Sequence, residues 1–138
     1  MHLGRMIKIL NTTIERDMNR TLAKYDLTGG QGAILGYLVH HPGVEICQKD
    51  LEKEFELSHP TISSILARME AKGIISTEPL EKDKRFKKVV LTEKGILLDR
   101  EIFSHIEENE ARLTSGFSEG EKQKIIELLN RVLQNINE

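Results

Sequence analysis

The chain has 138 residues, of which 38% are hydrophobic and 30% charged, and its net charge at neutral pH is −2. These values fit one globular domain with a hydrophobic core, and the single cysteine excludes an intramolecular disulfide framework. Because the N-terminus lacks a long apolar run, we expect no signal peptide or membrane span, and we expect a cytoplasmic protein.

The charge is distributed unevenly along the chain. Residues 1–30 carry a net +2, residues 31–95 are neutral, and residues 96–138 carry −4. Any affinity for an acidic partner such as DNA must therefore come from a local basic patch, with the acidic C-terminal part facing away.

Residues 3–25 predict a long helix with a single apolar stripe. The stripe consists of Leu3, Ile7, Leu10, Ile14, Met18, Leu22 and Tyr25. It fits packing either on its own domain or on a second subunit. A capping box at Thr28 and Gln31 then begins a second helix, which should end at residues 41–43.

Two helices joined by a tight connection are predicted next, in the arrangement of a helix-turn-helix. The first should run from Gln48 to about Phe55, with Cys47 at its N-terminal cap. The second should begin after Ser58, whose side chain is a favourable cap, and end at Gly73, which suits the left-handed conformation of a helix stop.

The second of these helices has one apolar and one polar face. The polar face consists of His59, Thr61, Ser63, Ser64 and Arg68. Its mostly small side chains would let the backbone approach base edges in the major groove of DNA. Pro60 is tolerated because N–H groups of the first helical turn are unpaired. We call this element the reading helix.

A basic hairpin is predicted directly after the reading helix. Ile74–Ile75 and Val89–Leu91 have the composition of short strands. Residues 82–88 between them carry a net +4, with Asp83 as the only acid. The cations are Lys82, Lys84, Arg85, Lys87 and Lys88. A solvated hairpin tip is one explanation, but the position after the reading helix favours nucleic-acid binding and a winged helix-turn-helix.

Two more helices are predicted at the C-terminus, one opened by Thr92–Gly95 and the last by a capping box at Ser118. Their apolar positions and the N-terminal stripe exceed what the short central module can cover. We therefore expect a mainly α fold with a small β-hairpin wing. Residues 28–95 would form the winged helix-turn-helix, and residues 1–27 with 96–138 a dimerisation region of the same structural unit.

Six short motifs follow one another along the chain. They are Leu27-Thr28-x-x-Gln31, Gln48-Lys49-x-Leu51, Ser58-x-x-Thr61-Ile62-Ser63, Met69-Glu70-x-x-Gly73-Ile74-Ile75, Asp83-Lys84-Arg85 and Val90-Leu91-Thr92-x-x-Gly95. Each motif alone is weak, but their order and spacing together are specific. In this order they resemble the MarR-type winged helix-turn-helix transcriptional regulators, and the similarity covers nearly the whole chain.

The resemblance implies a homodimeric, sequence-specific transcriptional regulator that binds a pseudo-palindromic operator in double-stranded DNA. It further implies a repressor that is released by a small-molecule effector bound between the terminal helices and the reading module. In the family the arginine equivalent to Arg85 reaches the minor groove, and the aspartate equivalent to Asp83 holds it by an ion pair. A narrow minor groove concentrates negative potential, which favours arginine there.

The predicted DNA-binding residues come from the helix-turn-helix and the wing. They are Gln48, Lys49, Ser58, His59, Pro60, Thr61, Ser63, Ser64, Arg68, Lys82, Lys84, Arg85, Lys87 and Lys88, with Asp83 as an orienting residue. The chain departs from the family pattern at two positions. Ser76-Thr77 stand where an arginine is frequent, and Cys47 stands where serine or threonine usually opens the helix.

Three alternatives to this prediction follow from other residues of the chain. A thiol at a helix N-terminus is unusually reactive, so Cys47 is a candidate for a redox-responsive regulator. A winged-helix protein-interaction module is the second alternative, although a basic wing argues against it. No nucleophile–base pair, phosphate loop or metal-ligand spacing was found, so we expect neither an enzyme nor a metal site nor a cofactor.

Overall fold

A computed structural model describes all residues from Met1 to Glu138. Its elements are α1 (Leu3–Lys24), α2 (Gly29–His40), α3 (Gln48–Phe55), α4 (His59–Ala71), β1 (Ile75–Pro79), β2 (Lys87–Leu91), α5 (Glu93–Leu113) and α6 (Glu119–Asn137). The six helices and one hairpin confirm the predicted fold class. None of the helices combines the length and apolar character needed to cross a membrane.

The chain divides into two compact units, Met1–Ser104 and His105–Glu138. The hydrophobic core lies in the first unit. Its fully buried large side chains are Ile34, Leu35, Leu51, Ile62, Met69, Ile74 and Ile75, which come from α2, α3, α4 and the start of the hairpin. The helix-turn-helix therefore rests on a continuous apolar support.

The first helix is only partly covered. Leu22 near its C-terminus is buried, whereas Leu3, Leu10 and Ile14 are 57%, 46% and 42% exposed. The helix also ends at Lys24, one residue earlier than predicted, because the chain turns through Asp26 with a positive φ of 57°. Three of the seven stripe residues are thus exposed in a single chain, whereas Ile7, Met18 and Tyr25 are half-buried.

Local capping explains where the next helices begin. The Thr28 side chain accepts a hydrogen bond from the Gln31 backbone N–H, and the Gln31 side chain accepts one from the Thr28 N–H, each at 3.3 Å. This confirms the predicted capping box, and it places the first helical residue at Gly29. In α3, the Cys47 backbone N–H donates to the Asp50 carboxylate at 2.9 Å.

The reading helix corresponds to α4 and ends as predicted. Gly73 has a φ of 74° and donates to the Glu70 carbonyl at 2.9 Å, while the Ile74 N–H reaches back to the Met69 carbonyl at 3.1 Å. These two bonds, together with burial of Met69 and Ile74, form a Schellman motif. The chain then enters β1 at a fixed angle to the helix.

The hairpin is antiparallel, with a register running from Ile75 opposite Leu91 to Pro79 opposite Lys87. The segment before α3 joins its outer edge, because the Val89 N–H donates to the Ile46 carbonyl at 2.7 Å and Cys47 bridges to Lys88. The base of the wing is therefore attached to the N-terminus of α3.

The second unit contains the end of α5 and the whole of α6. No residue of α6 is buried. Its apolar residues Ile125, Leu129 and Leu133 are 41%, 43% and 56% exposed. This apolar helix face is therefore open to solvent in a single chain.

Candidate nucleic-acid interface

The reading helix presents the expected polar face to solvent. Ile62, Leu66 and Met69 are buried against the core. The opposite side chains are all exposed: His59, Pro60, Thr61, Ser63, Ser64 and Arg68. The N-terminus of the helix is capped by Ser58, which accepts from the Thr61 N–H at 3.3 Å. The small side chains at its centre leave the helix backbone accessible to a groove.

The tip of the wing is organised by Asp83 and Arg85. The Arg85 Nε donates to Asp83 Oδ1 at 3.0 Å, and its terminal nitrogen donates to Oδ2 at 2.7 Å. The Arg85 backbone N–H also donates to Asp83 Oδ1, at 3.1 Å. The pair is bidentate, so it fixes the plane of the guanidinium as well as its position.

The same contacts determine the charge state of the pair. The side-chain and backbone hydrogen bonds from Arg85 hold the pKa of the Asp83 carboxyl below its ordinary value. The hydrogen bond to Asp83 raises the pKa of the Arg85 guanidinium. Both groups are therefore ionised at neutral pH, and the Arg85 side chain is still 84% exposed.

Phe86 is a functional candidate that the sequence analysis missed. Its ring lies 5.2 Å from the Lys49 ammonium nitrogen and 6.0 Å from the Arg85 guanidinium carbon. Cations at such distances over an aromatic face are attracted by the ring. Phe86 therefore links a cation of α3 to a cation of the wing. Its signal in the sequence was a lone aromatic residue within a run of cations.

A cleft of about 400 Å³ separates α3, the reading helix and the wing. Its lining includes Gln48, Lys49, His59, Ser63, Arg85 and Lys87, all of which were predicted DNA-binding residues. Cys47, Glu52 and Phe86 complete the lining. The structure thus brings residues from both halves of the predicted site to a single concave surface, which carries three cations (Lys49, Arg85, Lys87) and one acid (Glu52).

His59 is held at the edge of this cleft by two alternative contacts. Its Nδ1 lies 3.1 Å from Glu52 Oε2 and 3.0 Å from Gln48 Nε2. The ring nitrogen donates to the carboxylate when it carries a proton and accepts from the amide when it does not. Either arrangement ties the first turn of the reading helix to α3.

The remaining wing cations are arranged differently. Lys82 and Lys84 are exposed in the turn between the strands and do not line the cleft. Lys88 Nζ forms an ion pair with Glu78 Oε2 at 3.4 Å across the hairpin. Lys88 is therefore partly neutralised by the protein itself.

The two positions that depart from the family pattern include Thr77, near which the family often has arginine. Its hydroxyl donates a hydrogen bond to Glu70 at 3.2 Å.

Comparison with known proteins identifies the family of this chain. A family model described as the MarR family matches residues 25–85. The HTH-type transcriptional regulator YybA of Bacillus subtilis is 30% identical over 132 residues, which span 96% of this chain and 87% of that protein. The chain belongs to the MarR family of transcriptional regulators. This finding confirms the resemblance seen in the six motifs.

Other proteins similar to this chain are transcription regulators as well. The HTH-type transcriptional regulator PecS of Dickeya dadantii is 30% identical over 125 residues, covering 89% of this chain and 75% of that protein. MepR, a transcription regulator of the Staphylococcus aureus multidrug efflux pump MepA, has a TM-score of 0.88 at 27% identity, with 99% of both chains covered. The family and the relatives of this chain are regulators and not enzymes, as the sequence predicted.

A MarR-family structure with DNA is also similar to this chain. The S. aureus MepR–DNA complex has a TM-score of 0.81 at 28% identity and covers 99% of this chain and 98% of that one. The fold observed here is therefore one that a family member uses while bound to DNA.

Proposed function

We propose that this MarR-family chain is a homodimeric repressor that binds a pseudo-palindromic operator and is released by a small-molecule effector. The observation that carries the DNA-binding part is the bidentate Asp83–Arg85 pair, which presents an exposed guanidinium in a fixed orientation next to the reading helix. An ion pair whose only purpose was surface stability would contribute little at such exposure. An oriented arginine suits insertion into a narrow minor groove.

The proposal assigns different tasks to the two parts of the interface. Thr61, Ser63, Ser64 and Arg68 read base edges in the major groove, because they are exposed on the polar face of the helix. Lys82, Lys84 and Lys87 contact phosphates, which supply affinity but little sequence information. Arg85 reads the width of the minor groove.

Dimerisation is proposed from the uncovered apolar faces. α1 exposes Leu3, Leu10 and Ile14, and α6 exposes Ile125, Leu129 and Leu133. Surfaces this apolar are covered in stable proteins, and a two-fold dimer covers identical surfaces with each other. In such a dimer two reading helices separated by about 34 Å match successive major grooves.

The protein-interaction alternative requires a wing that has lost its affinity for DNA. The wing tip carries Lys82, Lys84 and Arg85 on its exposed surface, and of its two acids, Glu81 and Asp83, the second is engaged by Arg85. The positive charge of this surface repels a basic partner and attracts polyanions. DNA remains the better-supported partner.

A gel-shift titration on DNA from a selected random pool, and on the upstream region of its own gene, tests the proposal. We expect a discrete complex whose affinity exceeds that for random DNA by at least about a thousandfold. Equal affinity for both DNAs, or no complex, would exclude a sequence-specific regulator. An effector screen with small aromatic acids then tests release of the protein from the operator. The factor by which a ligand lowers operator affinity cannot exceed the ratio of its affinities for the DNA-free and the DNA-bound conformations.

A further inference from the structure

Lys72, at the C-terminal end of the reading helix, makes contacts that DNA binding itself does not explain. Its ammonium donates to the backbone carbonyl of Asp26, and to Gln31 Oε1 at 2.9 Å. The Asp26 carboxylate lies 3.8 Å from the same nitrogen. Two of the three ammonium donors are thus engaged by hydrogen bonds, and the Asp26 carboxylate adds an ion pair. The Lys72 ammonium is therefore directed toward the ends of α1 and α2.

The acceptors of Lys72 belong to the connection between α1 and α2 and to the first turn of α2. Gln31 is only 2% exposed, so its hydrogen bond to the ammonium is shielded from water. Asp26 is fixed to α1, because its N–H donates to Ala23 at 3.1 Å and the next N–H, of Leu27, donates to Leu22 at 3.0 Å. The ammonium thus joins the reading helix to the end of α1.

The backbone at the same point is also bound to α5. Lys94 Nζ donates to the Lys72 carbonyl at 2.7 Å. Thr92 Oγ1 lies 2.6 Å from the Gly73 carbonyl and 2.9 Å from that of Ile74. The C-terminal end of the reading helix therefore contacts, through polar groups, the helices that precede and follow the winged module.

We propose that Lys72 is a positioning residue that fixes the reading helix relative to α1 and α5 and thereby sets the half-site spacing that the regulator accepts. This inference rests on the proposed dimeric function. The apolar contacts of Ile62, Leu66 and Met69 hold one side of the helix, but such contacts are non-directional and fix its orientation less well than hydrogen bonds do. Polar bonds of defined direction at its end restrict that pivot. In a dimer a small rotation of each helix changes the distance between the two reading surfaces.

The test uses the full-length protein and synthetic operators in which two copies of the selected half-site are separated normally or with one base pair added or removed. Wild-type protein should strongly prefer the normal spacing, near 10–10.5 bp centre to centre or a multiple of it. Lys72→Gln should reduce this preference by about three- to tenfold, the effect of losing partly buried charge-assisted hydrogen bonds. Lys72→Arg, which keeps the cation, should restore most of it.

Salt dependence distinguishes positioning from a phosphate contact. For Lys72→Gln the slope of log affinity against log salt should match wild type, whereas loss of a phosphate contact lowers it by about one unit. Lys24→Met removes the same charge from an exposed site at the end of α1 and serves as the matched control, with spacing preference unchanged. If Lys72→Gln is not folded, Lys94→Met replaces it, and it should shift the preference in the same direction.

An unchanged spacing preference in folded Lys72→Gln, even with a lower melting temperature, would overturn the inference and leave the proposed function intact. A uniform loss at all spacings with a reduced salt slope would overturn it as well, since Lys72 would then contact phosphate. If wild-type protein bound every spacing equally or bound no selected DNA, the dimeric function would fail and the inference with it.

Discussion

Asp83 engages both sides of the Arg85 guanidinium fork, at 3.0 Å and 2.7 Å, without withdrawing the arginine from solvent. The carboxylate lies two residues before the arginine in the same turn, and the turn is closed by the Phe86 N–H donating to the Asp83 carbonyl at 3.1 Å. An acid thus sits inside a surface that is proposed to bind a polyanion. Its presence is explained if it orients the arginine.

The first prediction concerns this acid. Asp83→Ala should weaken operator binding, although it removes a negative charge near the phosphates, because Arg85 loses the rotamer that suits the minor groove. The loss should be smaller than for Arg85→Ala and larger on A·T-rich flanks. Fluorescence anisotropy at two salt concentrations measures it. Binding as tight as wild type, or tighter, would exclude the orienting role.

The pH dependence of this pair has a defined sign. The pKa of Asp83 is lowered by Arg85, so the ion pair is present at neutral and mildly acidic pH and is lost only as pH falls through that lowered pKa. The affinity difference between wild type and Asp83→Asn should therefore persist at mildly acidic pH. Operator titrations in a pH series, with Asp83→Asn as reference, follow this difference directly.

The second prediction separates the wing from the reading helix. Lys84→Ala should weaken binding to operator and random DNA alike and reduce the salt slope by about one unit. Ser64→Ala should instead cost roughly 1–3 kcal/mol on the operator, if it reads a base edge, with little effect on random DNA. Titrations of both DNAs measure the two patterns. Identical behaviour of the two variants would show that the parts of the site are not specialised.

The third prediction tests Phe86. Phe86→Leu keeps an apolar side chain but removes the ring that Lys49 and Arg85 approach, so operator affinity should fall by about two- to fivefold. Phe86→Tyr keeps the ring and is the matched control, with affinity near wild type. If both variants bound like wild type, the aromatic contact would have no part in arranging the cations.

The fourth prediction concerns stability at the start of α5. A Cβ added at Gly95 would lie 2.3 Å from the Ile74 carbonyl oxygen, a backbone atom that cannot move aside easily. Gly95→Ala should therefore destabilise the fold by about 1–3 kcal/mol. Gly36 in α2 has no atom within 4 Å of such a Cβ, so Gly36→Ala should stabilise by up to about 1 kcal/mol. Thermal unfolding of both variants measures these changes. Equal shifts of the melting temperature in the two variants would contradict the prediction.

Much of the fold could be predicted because its signals are local. The Thr28 and Ser118 capping boxes and the Gly73 stop act within a few residues, so helix boundaries followed from the sequence nearly to the residue. The extent of α1 differed by one residue, because the left-handed turn at Asp26 has no strong signature in an aspartate.

The parts of the site that were missed depend on long-range contacts. The bond from Lys72 to Asp26 joins residues 46 apart in sequence, and nothing near Lys72 indicates it. The same holds for the approach of Lys49 to Phe86. The cations that line the cleft, Lys49, Arg85 and Lys87, are among those predicted from the sequence, but the sequence did not reveal that Lys88 is engaged by Glu78. Residue type predicts which groups are capable of binding, and tertiary structure decides which of them are free to do so.

We propose above that two copies of this chain bind one operator together. Sedimentation velocity of a labelled operator with the full-length protein tests it most directly, with a chain truncated after Phe117 as the control. We expect two chains per operator and a dimer without DNA at micromolar concentration, whereas the truncated chain, lacking α6, should be monomeric and lose most specific binding. A folded full-length monomer that bound the operator as a single chain would contradict dimeric operator binding.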